Sequence, residues 1–161
     1  MAEGGADTRK LIAISVDEAS LAGASPESVH EREIAIYDLL ADNSFVIPGD
    51  YAGPYCLRLG LARNRLAFEV QNEGGTPLIA HLFAMGPFRP LVSDYLAVCG
   101  RHHAAIRSAS PSQIEAIDMG RRGMHNDAAR LLMERLSGKI EVDFATARRL
   151  FTLIVALHWD R

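Results

Sequence analysis

The chain has 161 residues, 48% hydrophobic and 23% charged, with 20 Asp and Glu against 17 Lys and Arg. That length fits one domain, residues 1–161, able to bury a core without metal or disulfide staples. The composition is that of ordinary globular material and excludes low-complexity and disulfide-framework classes.

Cys56 and Cys99 stand alone, and reduced, buried thiols are the expectation. The opening "MAEGGADTRK" has no apolar segment and reads as neither a signal nor a transit peptide; residues 1–8 are expected to be disordered. The apolar runs "LIAHLFAM" and "LFTLIVAL" are too short to span a bilayer. A cytoplasmic protein is therefore expected. Residues 1–100 carry 7 Lys and Arg against 13 Asp and Glu, and residues 101–161 carry 10 against 7. The basic final third would suit an acidic partner or a phosphate backbone, although a mixed solvated surface also accounts for it.

In chain order, "KLIAISVDE" (10–18) is apolar and reads as a strand. "GASPES" breaks the chain. Val29, Ala35, Ile36, Leu39 and Leu40 then recur at helical spacing, with Ser28 as the expected N-cap and Glu31 completing a capping box. The period next changes to two. Tyr55, Leu57, Leu59 and Leu61 share one face, as do Leu66, Phe68 and Val70. The link "ARNR" holds Asn64, which tolerates positive φ, and predicts a hairpin. "LIAHLFAM" (78–85) is apolar on both faces and predicts a central strand. "SFVIP" (44–48) is a candidate further strand.

From "GPFRP" onward the pattern is helical, with Phe88, Val92, Tyr95, Cys99, His102 and Ile106 in one stripe. Ser110, Pro111 and Gln113 form a helix start of cap, N1 proline and capping box. That helix is predicted to stop near Gly120, and another to run from Asn126 to Gly138. "KIEV" (139–142) suits a short strand. Asp143 is expected to cap a last helix burying Ala147, Leu150, Phe151, Ile154 and Leu157. The fold class predicted is α+β: an antiparallel meander of about four to five strands, with about five helices packed mainly on one side.

The stretch "SPSQIEAIDMGRRGMHND" (110–127) concentrates the polar chemistry. Read as a turn, Gly120, Arg121, Arg122, Gly123, His125 and Asn126 form a candidate partner or anion site. "GRRG" resembles the Gly-x-x-Gly loop of KH domains, where bare backbone approaches phosphates and arginines neutralise them. It departs from that pattern at Asn126, which has the character of an N-cap where an aliphatic residue is usual. A second reading is catalytic: Glu115 and Asp118 lie three apart on one helix face, and with His125 they could hold a metal or move a proton. The third is structural, with Asp118 pairing to Arg121 or Arg122 and the glycines turning a helical hairpin.

His81 is expected to be a buried, hydrogen-bonded core histidine. His102 and His103 are expected to pack or face solvent, and Arg148 and Arg149 to be solvated.

The segments "ASPSQIEAIDMGRRGMHN", "LMERLSGKIEVDFATARRLFTLI" and "LHW" resemble those of a small uncharacterised protein family of alphaproteobacteria, about the length of this chain. The resemblance implies a bacterial cytoplasmic protein. It carries no assigned activity and transfers no catalytic residue. The function expected is that of a non-enzymatic binding or regulatory protein using the Gly120–Asp127 turn. An RNA-binding protein using the same turn is one alternative; a small metal- or acid/base-dependent hydrolase on Glu115, Asp118 and His125 is another. No cofactor, metal or membrane partner is expected. The partner expected is a protein or an anionic ligand, and self-association is left open.

Overall fold

A computed structural model describes residues 8–17 and 24–158. Of residues 1–8, expected to be disordered, 1–7 lie outside the described residues, as does Trp159, and Thr8 is described, its carbonyl accepting from Lys10 N at 2.9 Å. The elements are β1 (Leu11–Val16), α1 (Pro26–Ala41), β2 (Phe45–Val46), β3 (Tyr55–Ala62), β4 (Arg65–Asn72) and β5 (Pro77–Ala84). They continue with α2 (Arg89–Ser108), α3 (Pro111–Leu136), β6 (Glu141–Val142) and α4 (Phe144–Leu157). The class is α+β, as the patterning predicts.

The meander of β3, β4 and β5 is antiparallel and sequential. The alternation places Leu57 opposite Val70, Leu59 opposite Phe68 and Leu61 opposite Leu66, all buried. Arg63 (φ 50°) and Asn64 (φ 67°) turn the β3–β4 hairpin. Two successive left-handed residues match the twist of the flanking strands.

Three expectations are corrected. First, the main sheet is mixed: its order is β1-β3-β4-β5, and β1 runs parallel to β3. The reason is the connection, because α1 lies between β1 and β3 and carries the chain back to begin a strand in the same direction. Second, residues 45–46 do not join that sheet but pair with β6 in a two-stranded ribbon. Third, β5 is an edge strand; Leu78, Ile79, His81 and Phe83 are half-buried and its other residues are exposed. Leu82 is 64% exposed and His81 is half-buried rather than buried. The small residues Ala80 and Ala84 present an apolar surface that nothing in the described chain covers.

Among the described residues there are four helices where about five are expected, because 111–136 is one helix and not two. Ser25, not Ser28, caps α1: its hydroxyl accepts from Ser28 N at 3.1 Å, and Pro26 takes N1. Proline at the first helical position carries no orphan N–H, so the cap falls before it. The box at Ser110 and Gln113 is complete, with contacts of 3.3 and 3.0 Å, and Asp143 accepts from Thr146 N at 2.8 Å.

In the helical layer α4 packs against α1 and α3, and α2 packs against α3. Leu153 to Leu157 are all buried, which marks α4 as the innermost helix. Along α2 Val92, Tyr95, Val98 and Ala105 are buried, while Ile106 is 58% exposed. Along α3 the buried residues begin only at His125. The end of α2 and the start of α3 thus form an arm supported chiefly by each other. No described helix is long and apolar enough to cross a membrane. Cys56 and Cys99 are free thiols, both half-buried rather than buried.

Candidate functional site

The stretch 110–127 does not turn. It lies within the single 26-residue helix α3, which passes through Gly120 and Gly123. A glycine in a helix interior costs about 1 kcal/mol relative to alanine, and it does not remove the hydrogen bond that proline would. The pairing of Asp118 with Arg121 and Arg122 also spans Gly120. Asn126 is therefore not an N-cap, and Asp127 is a mid-helix residue paired with Arg130 at 3.2 Å. The Gly-x-x-Gly loop on which the KH resemblance rested is absent.

Asp118 is the hub of the outer cluster. Its Oδ1 accepts from Arg121 Nη2 at 2.6 Å and Nε at 3.2 Å, while its Oδ2 lies 2.9 Å from Arg122 Nε. His102 Nε2 lies 3.9 Å away, from the neighbouring helix. The Arg121 hydrogen bond, before the other charges, holds the Asp118 carboxyl below the usual carboxylate range. One carboxylate thus engages both arginines. The two differ in direction: Arg121 reaches inward to the Tyr95 hydroxyl at 3.4 Å, whereas the Arg122 side chain is 67% exposed.

One helical turn further, His125 is buried at 8% exposure. Its Nε2 lies 2.8 Å from the Arg148 carbonyl and its Nδ1 3.4 Å from Arg148 Nη2. A carbonyl only accepts, so Nε2 carries the proton and Nδ1 offers its lone pair to the guanidinium. The Thr152 hydroxyl donates to the same carbonyl at 3.1 Å and touches Nε2 at 3.2 Å. The Tyr95 and Phe151 rings enclose the imidazole at centroid distances of 5.3 and 5.7 Å. Burial pushes the His125 pKa down, and the charges of Arg148 and Arg121 push it further against the opposing carbonyl hydrogen bond. Burial also raises the Tyr95 hydroxyl and the Cys99 thiol.

Glu115, Asp118 and His125 are not brought together as a catalytic group. Glu115 is exposed, and Asp118 is seven residues from His125, about 10 Å of helix rise. Both nitrogens of His125 are engaged. Among the described residues, no group of three His, Cys, Asp or Glu is placed to hold a metal.

Sequence reasoning missed the inner partners. Arg148 was expected in solvent; it is half-buried, and its Nε is enclosed without a hydrogen-bond partner. The spacing of Arg148 and Thr152, four apart on one flank of α4, was the available signal. Arg149 bonds the Asp42 carbonyl at 3.1 Å.

A family model described as an uncharacterised protein family, UPF0262, matches residues 8–160. The chain belongs to that family. A UPF0262 protein of Methylobacterium radiotolerans is 54% identical over 159 residues, covering 99% of each chain. Another from Chelativorans is 53% identical over 162 residues, covering 100% of each, and one from Bradyrhizobium is 52% identical over 153 residues, covering 94% of this chain and 91% of its own. These UPF0262 relatives are alphaproteobacterial. No solved structure matches the chain.

Proposed function

We propose that this UPF0262 protein is a non-enzymatic binding protein, and that its contact surface is the outward flank of α3 around Met119, Gly120, Arg122 and Gly123. One observation carries the reading. Both glycines stand inside a helix, yet a Cβ built on either meets no neighbouring atom within 4 Å. Nothing within the described chain requires the backbone to be bare there. A partner that approaches closely does. Met119, 65% exposed, and the exposed Arg122 supply an apolar and a cationic contact beside the glycines. The partner that fits is a protein face with an apolar centre and a carboxylate at its rim. Asp118 already shares the charge of Arg122, which lessens the pull on RNA or a free phosphate.

The test is a comparison of wild type with Gly120→Ala and Gly123→Ala. Each alanine is expected to raise stability by up to about 1 kcal/mol, because helix propensity improves in open space. Each is also expected to weaken capture of the partner that wild type retains from a native lysate, as is Met119→Ala. Variants that melt higher and keep every partner return the glycines to chance.

A further inference from the structure

The two edges of the main sheet are finished differently. At β1 the Asn43 side chain accepts from Leu11 N at 2.7 Å and donates to Leu11 O at 3.1 Å, and Phe45 N bonds Arg9 O at 3.0 Å. The chain itself closes the start of that edge. β5, at the other edge, has eight residues and no Asp, Glu, Lys or Arg. Natural edge strands are usually blunted by charge, bulge or cover. Here the one irregularity of the β4–β5 ladder lies near its Pro77 end. Lys139 lies 5.5 Å from the Phe83 ring, whose side chain packs on the core.

The direction of the free backbone groups follows from the ladder. Met85 N bonds Asn64 O at 2.8 Å. Bonded and non-bonded pairs alternate along an antiparallel ladder. Counting back, Phe83 and His81 turn their N–H and C=O toward β4, while Ala84, Leu82 and Ala80 turn theirs away.

We propose that β5 pairs with β5 of a second copy of this chain, antiparallel, about a two-fold axis through His81. The strand's own pattern names this occupant. With no carboxylate, ammonium or guanidinium on it, self-pairing sets none of these charges opposite its like. The His81-centred register sets Ala80 against Leu82 in both directions, a small side chain beside a large one, on the face where Leu82 is exposed. On the other face Ile79 meets Phe83, a β-branched and aromatic pair of the kind favoured across strands. Pro77, which has no N–H to give, falls outside the paired span. The product is one eight-stranded sheet with both helical layers on the same side, an isologous contact that closes on itself.

Sedimentation of the full chain across the micromolar range tests this. Wild type is expected to reach twice the 17.6 kDa of one chain. Ala80→Pro removes an outward N–H and leaves the β4 ladder intact; Leu82→Lys places a charge on the paired span. Both are expected to lose the dimer and to melt where the wild type melts once diluted to monomer, with a melting temperature that no longer varies with concentration. With Cys56 and Cys99 replaced by alanine, His81→Cys is expected to cross-link on mild oxidation, since non-bonded partners lie about 4.5 Å apart at Cα. Ala84→Cys is expected not to. A wild type that sediments as a monomer throughout overturns the proposal and leaves β5 to a strand of another protein. A dimer that survives both Ala80→Pro and Leu82→Lys, or that cross-links through Ala84→Cys instead of His81→Cys, overturns it as well.

Discussion

His125 and Arg148 hold each other by opposite ends: the imidazole Nε2 donates to the Arg148 carbonyl at 2.8 Å, and the guanidinium of the same residue approaches Nδ1 at 3.4 Å. The arrangement suits the neutral ring alone. A proton on Nδ1 would remove the lone pair that faces Arg148 and add a positive charge beside two guanidiniums.

That constraint has a pH signature. The folded His125 pKa lies below its ordinary value, so the unfolded chain takes up the proton first as pH falls. Its contribution to stability is complete above the ordinary histidine value of about 6.5 and is lost as pH falls below it. The loss reaches at most about 1.4 kcal/mol per pH unit, and ends where the folded protein also protonates. Urea unfolding of wild type and His125→Gln between neutral and mildly acid pH checks this: the variant is expected to show the flatter dependence.

Asn43 offers a second measurement. One side chain serves Leu11 N, Leu11 O and the Leu39 carbonyl at 2.7, 3.1 and 2.9 Å. It ties β1 to the end of α1. Replacing it by alanine leaves partly buried backbone groups without partners, at a cost of about 1–3 kcal/mol. Asn43→Asp keeps the acceptor for Leu11 N but sets an anionic oxygen against the Leu11 and Leu39 carbonyls, and is expected to cost at least as much as alanine in chemical denaturation.

Gly53 offers a third. A Cβ there would stand 1.8 Å from the Thr8 carbonyl oxygen, so two backbone segments touch where any side chain would intrude. Gly53→Ala is expected to destabilise by about 1–3 kcal/mol, as overpacking does, or to displace the segment before β1. A thermal melt together with proteolysis of that segment distinguishes the two. Gly123→Ala, with nothing within 4 Å, is the internal comparison and is expected to move stability the other way.

Much of the fold is legible from short-range pattern. The period-two runs at 55–61 and 66–72, the Asn64 hairpin, the Ser110 box and the Asp143 cap each express a local rule, and each is where the residues put it. Apart from the α1 cap, which falls at Ser25 and not Ser28, what failed was long-range or a matter of degree. Nothing within "LIAISV" states that its neighbour in the sheet will run parallel. The apolar strand at 78–85 reads as central because periodicity reports hydrophobicity and not strand order. Gly120 and Gly123 read as a helix end because glycine is common there, yet the sum over 26 residues of packing and i,i+4 pairing outweighs two unfavourable positions. The candidate site suffered most. Asp118 was identified as the partner of the arginines, but that it holds both at once, with Arg121 turned to Tyr95, depends on the approach of α2.

The length of α3 has one more implication. At 1.5 Å per residue it runs about 39 Å, and all its buried residues lie from His125 onward. Its last turns are packed on α4 and β6, whereas its first turns rest mainly on the outer end of α2. Stability is therefore graded along a single helix. The amino-terminal half is expected to exchange its amide protons faster than the carboxyl-terminal half, which hydrogen exchange would read directly. The flank that carries Met119 and Arg122 sits just before that boundary, soft enough to adjust to what it meets and anchored one turn away.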